Sequence, residues 1–411
     1  MTNPRARAAA PMSRSPNEEI PFTVETGRGQ RWTYGSGLPR FVVRVPDRST
    51  WQRLVSQGAY DLAAAFVAGR FDIEGDLLAA FRWWNQHKHQ SVLPFPTARV
   101  SLESWWQSRR RARRDIEFHY DRSNEFYRQF LDRKMVYSCA YFANASMSLD
   151  EAQSAKLRYV SCKLDLHAGD RFLDIGCGWG ALVHEAAGEF GTTAVGCTLS
   201  RQQFDYASQA VRASGLNSRA RIELRDYRAI QGSFDKIASI GMYEHVGRHR
   251  LGDYFKAVAG LMSPDALFLN AGIARPETTS DDDATRFLRK FVFPGGEVPY
   301  LSDAIRAAET AGLEVLDLEN LRPHYAMTCA SWLQRLQAHR DMCLLVVNSR
   351  VYRTWLLYLA GSAVAFECGE EGLYHMLLAK RRGTNARKLT RASMYSSIAS
   401  PDGQEATRPL A

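Results

Sequence analysis

From residue 171 onward the chain settles into short apolar runs separated by longer helical ones, and this rhythm leaves few folds open. RFLDIG, TTAVGCTL, ARIELRD, FDKIASIG and ALFLNAGI read as successive strands. EAQSAKLRYVSCKL precedes them, and ALVHEAAGEF, RQQFDYASQAVRASG, LGDYFKAVAGLM and LSDAIRAAETAG carry helical spacing between or after them. Strands alternating with helices of this length predict a mostly parallel sheet covered on both faces, an α/β fold. Such a sheet takes its ligand at the carboxyl ends of its strands. DIGCGWG, with Asp174, Gly176, Gly178 and Gly180, falls at the end of the first one.

Glycines there let the backbone turn sharply and approach a ligand without a Cβ in the way. The spacing is GxGxG, without the GxGxxG of dinucleotide sites, and no GKS or GKT follows to cradle a phosphate. The run instead resembles the first motif of S-adenosylmethionine-dependent methyltransferases, whose loop passes beside the methionine part of the cofactor. The resemblance implies polar contacts from TLSRQQ, where Thr198, Leu199 and Gln203 lie, and places Asp226 and Tyr227 of RDYR where adenine is held.

Upstream, RFVVRVPDRSTWQRLVSQGAYDLAAAFVAGRFDI alternates like a strand and then turns helical, so residues 20–90 are expected to form a small N-terminal α+β domain. A disordered leader is expected at 1–19, a linker at 91–104, the main domain at 105–383 and a disordered tail at 384–411. The leader has no continuous apolar core of a signal peptide. The longest apolar run, WLLYLAGSAVAF, falls short of the roughly 20 residues that span a bilayer and reads as a core helix. Seven cysteines form neither a CxxC pair nor an even framework, which fits a reducing cytoplasm. His87 and His89 have no carboxylate or cysteine partners in sequence, and no metal site is expected. The net charge of +9 suits nucleic acid or an anionic lipid surface. Trp105 and Trp106 precede Arg109, Arg110, Arg111, Arg113, Arg114 and Arg122, a mixture that fits an interfacial helix or a solvated face. No nucleic-acid-binding motif accompanies it.

Taken together, HYDRSNEFYRQFLD, MVYSCAYF, LDIGCGWG, VGCTLSRQQ, RDYR, SIGMYEHVG, HYAMTCASW and LYLAGSAVAF resemble, in order, the cyclopropane-fatty-acyl-phospholipid synthases. The resemblance covers about 110–382. It implies a Rossmann-like class I methyltransferase with a mostly parallel seven-stranded sheet. The implied reaction moves a methyl from S-adenosylmethionine to the double bond of an unsaturated acyl chain in a phospholipid, followed by proton loss and ring closure. Aromatic faces tolerate the cation formed on the way, and Tyr137, Tyr141, Phe142 and Tyr243 are candidates, with Tyr137 and Ser138 also beside the cofactor. The family's base is a bound bicarbonate. Its ligands carry over to Cys139, Glu244 and Tyr325, with Asn270 and Gly272 at the positions where the family has a histidine and a backbone group.

Asn270 is a departure: an amide donates a hydrogen bond but relays no proton near neutral pH. Methylation without ring closure, giving methylene or methyl-branched chains, therefore stays open. So do a small-molecule methyltransferase and a non-catalytic lipid-surface protein. His245 is expected to brace its loop, and Cys177 and Cys197 to be packed thiols within sheet elements. Peripheral association with the inner face of an anionic membrane is expected, with a homodimer open and no nucleic-acid partner.

Overall fold

The computed structural model describes residues 19–87, 123–277, 283–292, 297–383 and 389–395. The leader through residue 18, the linker at 91–104 and the cluster from Trp105 to Arg122 lie outside the described residues.

A small unit comes first, with β1 (Phe22–Thr26), β2 (Arg31–Tyr34), β3 (Phe41–Val45), α1 (Arg48–Val55), α2 (Ala59–Val67), β4 (Asp72–Gly75) and α3 (Leu77–His87). Its sheet runs β2-β1-β3-β4, with β1 and β3 parallel and the outer pairs antiparallel. The alternation in FVVRV becomes burial of Phe41, Val43 and Val45 with Arg44 outward. Phe22 stacks on Tyr34 and Phe41 at 4.7 and 4.9 Å and meets Trp83 of α3 edge-on at 4.8 Å. The sheet's core face is thus closed by the unit's own last helix.

The larger unit begins with α4 (Asn124–Arg128), α5 (Leu149–Lys163), β5 (Arg171–Ile175), α6 (Ala181–Gly188), β6 (Thr193–Thr198), α7 (Arg201–Ala213) and β7 (Ala220–Leu224). It continues with β8 (Phe234–Ile240), α8 (Leu251–Leu261), β9 (Met262–Ala274), α9 (Asp283–Phe291), α10 (Leu301–Thr310) and β10 (Leu313–Asn320). It ends with α11 (Arg322–Ala338), α12 (Arg340–Val346), α13 (Ser349–Cys368), β11 (Gly372–Lys380) and α14 (Ala392–Tyr395). The seven strands run β10-β11-β9-β8-β5-β6-β7, and β11 opposes the others. This is the Rossmann-like class I methyltransferase sheet. Central β5 buries four of its five residues, which is why it reads as a continuous apolar run.

Strand β10 carries Glu314, Asp317 and Glu319, residue types depleted in strands. Two of these carboxylates find a fully buried cation, since Lys163 Nζ lies 3.3 Å from Asp317 Oδ2 and 2.5 Å from Glu319 Oε2. The tail is not wholly without structure. Residues 389–395 dock here, with Arg391 paired to Asp317 and Tyr395 Oη donating to Glu319 Oε1 at 3.2 Å. WLLYLAGSAVAF lies inside α13 as a core helix, and among the described residues no helix is long and apolar enough to cross a membrane.

Helices α2 and α3 pack on α13, so one apolar core runs from Phe22 through Phe126 and Trp355 to Phe366. Arg82 of α3 forks onto Glu367 of α13, Nε to Oε2 at 2.8 Å and Nη2 to Oε1 at 2.6 Å. Arg82→Ala strands that largely buried carboxylate, and the expected cost is about 1.5–3 kcal/mol. Urea unfolding measures it; an unchanged midpoint would mean that apolar contacts alone hold the small unit in place.

Candidate active site

A cleft opens at the carboxyl ends of the central strands, where the chain leaves β5 for β6 on one side and later returns to β8 on the other. Tyr137, Ser138, Asp174, Gly176, Gly178, Thr198, Leu199, Gln203, Asp226 and Tyr227 all line it. Gly180 does not belong to that lining. It caps α6 at φ 85°, and a Cβ there would stand 2.8 Å from the Ala207 Cβ, so its missing side chain serves helix packing. Gly178, at φ 53°, has open space where a Cβ would point.

The polar wall is fixed from behind. Thr198 Oγ1 donates to Gln203 Oε1 at 2.8 Å, and Ser200 caps α7 by accepting from the Gln203 N–H. Asp226 Oδ1 accepts from the Arg228 N–H and Nε at 2.9 and 2.8 Å. Burial pushes the Asp174 carboxyl up to about 7, opposed by Lys156. Burial likewise brings the Lys156 ammonium down to about 8, against the pull of Asp132, Asp174 and Cys139. Lys156 Nζ donates to Ser138 Oγ at 3.1 Å. Sequence reasoning missed this lysine; the signal was its place on the buried stripe Ala152, Lys156, Val160 of α5.

His245 also lines the cleft, and burial holds its imidazole down to about 4, hence neutral. Cys197 sits in β6, but Cys177 lies two residues past the end of β5 rather than within the sheet, because the chain has already turned into the glycine loop. Both thiols face the cleft, and burial raises both.

The segment carrying Cys139 is irregular yet buried, so its backbone groups need partners. Asp132 accepts from the Val136 and Lys134 N–H groups at 2.8 and 2.9 Å, and Gln153 Nε2 donates to the Ser138 carbonyl at 2.8 Å. Thr328 Oγ1 of α11 accepts from the Ala140 N–H at 3.0 Å. Cys139 Sγ donates to the Ala140 carbonyl at 3.2 Å, and burial keeps the thiol protonated.

Glu244 stands in a single turn after β8. Its Oε1 accepts from the Ile273 N–H at 2.7 Å, while its Oε2 is buried without a hydrogen-bond partner. Burial pushes the carboxyl up to about 7. On β9, Gly272 faces this turn: a Cβ there would meet Tyr243 Cε1 at 2.0 Å and Glu244 Oε1 at 2.8 Å. Tyr325 of α11 is held well above its ordinary value by burial first and then by neighbours that include Cys139 and Glu244. Cys139 and Tyr325 pack in one cluster with Ile273, whose N–H holds Glu244, and Gly272 abuts that carboxylate. Asn270 shares the Gly272 face of β9, and its Oδ1 accepts from Tyr254 Oη at 2.8 Å.

An aromatic wall adjoins the cleft. Tyr137 packs against Tyr127, Trp332 and Trp355 with centroids 5.4, 5.1 and 6.0 Å away, and Phe130 joins them. Tyr243 lies beneath Gly272 and donates to the Ile273 carbonyl at 2.9 Å. Tyr141 stacks on His324 and packs at a tilt against Tyr159, and Phe142 is buried with its N–H on His324. The wall of Tyr127, Trp332 and Trp355 comes from segments far apart in sequence and was not legible there. Among the described residues no group of histidine, cysteine and carboxylate side chains could hold a metal ion.

Residues 107–376 match the family model for mycolic acid cyclopropane synthetase. The chain is 35% identical over 383 residues to a probable fatty acid methyltransferase of Pseudomonas putida, covering 92% of this chain and 96% of that protein. It is 34% identical over 277 residues to the methoxy mycolic acid synthase MmaA3 of Mycobacterium tuberculosis, covering 65% of this chain and 94% of the relative. The crystal structure of the mycolic acid cyclopropane synthase CmaA1, complexed with SAH and CTAB, superposes with a TM-score of 0.62 at 32% identity. That match covers 65% of this chain and 97% of the other.

Two outcomes are expected at the cleft. Gly178→Val puts a branched side chain at a left-handed φ and into the open cleft, and it should abolish S-adenosylmethionine binding in calorimetry; retained affinity would remove the loop from the site. Lys156→Met removes the cation that opposes the upward shift of Asp174. The affinity that depends on an ionised Asp174 should then be half lost at a pH above about 7. An affinity profile identical to wild type would make Lys156 a packing residue only.

Proposed function

The chain belongs to the cyclopropane-fatty-acyl-phospholipid synthase family of S-adenosylmethionine-dependent methyltransferases, and we propose that it closes a cyclopropane ring on an unsaturated phospholipid acyl chain with bicarbonate as base. Methylation of an unsaturated fatty-acyl chain is the coarser activity that the family relationship supports. The observation that carries the finer reading is the buried, unpartnered Glu244 Oε2 beside a strand position with no room for a side chain.

The residues of the cleft fit S-adenosylmethionine: the glycine loop leaves open space, and Asp174, Thr198, Gln203, Asp226 and Tyr227 supply a polar rim. When bound there, S-adenosylmethionine supplies an electrophilic methyl group on a sulfonium. An alkene is a weak nucleophile, and methyl addition leaves a positive charge that water or a thiolate would trap. Burial keeps Cys139, Cys177 and Cys197 as thiols, which are poor nucleophiles. Aromatic faces such as Tyr137 favour a nearby cation by about 0.5–2 kcal/mol each without attacking it.

Bicarbonate, when bound, supplies the base. Glu244 would hold it: an ionised carboxylate repels the anion, whereas one poised near 7 shares a proton with it. Tyr325 and Cys139 would donate from the other side. Asn270 favours a second reading, methylation without ring closure. Its Oδ1 is engaged by Tyr254, and an amide relays no proton.

Glu244→Gln is expected to lose about 10²-fold or more in turnover with S-adenosylmethionine affinity retained, while Cys139→Ser is milder because a hydroxyl still donates. Turnover of unsaturated phospholipid is measured against added bicarbonate, with the product read by mass and NMR. Bicarbonate-independent wild-type activity would overturn the base assignment, and a methyl-branched product would select the second reading.

A further inference from the structure

Four of the large apolar side chains exposed among the described residues stand in one turn of helix: Met342 at 53%, Leu344 at 36%, Leu345 at 77% and Val346 at 40%, all in α12. Their exposure follows from the local geometry. Cys343 is buried and Val347 half-buried, four residues apart on the inward face, while Met342 and residues 344–346 are exposed around them. Apart from those two, all residues from 337 to 350 are exposed. A cluster of exposed apolar side chains on one short helix is a candidate interaction surface.

Basic side chains adjoin it. His339, the N-cap of α12, lines a surface cavity with Arg128, Arg133 and Arg335. The Arg133 side chain is 93% exposed, Arg340 opens the helix and Arg350 follows it. The carboxylates of the cavity are already engaged. Asp132 accepts from backbone N–H groups, and Asp150 pairs with Arg335, lies 3.9 Å from Arg133 Nε and accepts from the Arg133 N–H. Glu125 lies 3.7 Å from Arg128, and Asp341 is the acid on α12 itself. Buried Met135 lines both this cavity and the cofactor cleft, so the cavity backs onto the cleft.

We propose that α12 is a membrane-docking element, its apolar turn entering the interface of an anionic phospholipid bilayer while the Arg128, Arg133 and His339 cavity meets lipid phosphates. The proposal rests on the lipid substrate argued above. An apolar turn rimmed by arginines is what a lipid interface accepts, with guanidinium groups suited to phosphate. One exposed turn is small against the roughly 1,600 Å² that a stable protein interface buries, which argues against a second copy of the chain as the occupant.

The test uses the full chain with Leu345→Asp and, separately, Arg133→Glu. Sedimentation is measured with vesicles of phosphatidylglycerol and phosphatidylcholine, and with phosphatidylcholine alone, at low and high salt. Leu345→Asp should lose more than tenfold in partitioning to anionic vesicles at either salt. Arg133→Glu should lose the salt-sensitive part. Both should bind S-adenosylmethionine as wild type does and turn over detergent-dispersed unsaturated phospholipid. Wild-type sedimentation of Leu345→Asp overturns the proposal, as does a wild-type dimer that this substitution dissociates. Failure of the wild type to methylate either form of lipid would count against the proposed reaction, and sedimentation would still decide the docking.

Discussion

Charge buried without a full set of partners is the constraint around which the site is arranged. Asp174 and Glu244 are held up near 7 and Lys156 down near 8, each by loss of solvent before any other effect. The signs have a cost. A carboxyl raised in the folded state lowers stability as pH rises through the interval between its ordinary value and about 7, and a lysine lowered to about 8 lowers it as pH falls toward that value. Near neutrality all three groups oppose folding, so the surrounding apolar core must offset them. A fold tolerates such a site where the chemistry requires dryness.

Strand β9 shows how backbone geometry becomes chemistry. Side chains alternate along it, so Asn270 and Gly272 share one face while the Ile273 N–H reaches Glu244. Glycine at 272 lets Tyr243 and Glu244 press against the strand, and any Cβ would push the carboxylate away. The place of the Glu244 carboxylate is therefore set by register and by one missing side chain.

The five strands from RFLDIG to ALFLNAGI and the glycine loop were legible because both signals are local: apolar runs of strand length and glycines at fixed spacing. Strand β10 was not, because its acids are neutralised by Lys163 on a helix far away in sequence. Lys156 was passed over because a lysine in a helical pattern reads as solvent-facing, and only packing of α5 against the irregular segment reveals its burial. Gly180 looked equivalent to Gly176 and Gly178, yet its neighbour is Ala207 of α7, a contact that spacing does not encode. Glu244, Tyr325 and Cys139 are distant in sequence, and family resemblance, not periodicity, put them in one group.

The two helices that wall the reaction site are also the two that the exposed turn joins. α11 carries Tyr325, Thr328 and Trp332, α13 carries Trp355 and Tyr358, and α12 is the link between them. Cys343 is the one buried residue of that link, which spans directly between the end of α11 and the start of α13. Under the proposed docking, the surface that supplies the substrate would touch the link between the two aromatic wall helices. It gives the exposed leucines a physical reason to persist on a face where a free monomer would gain by burying them.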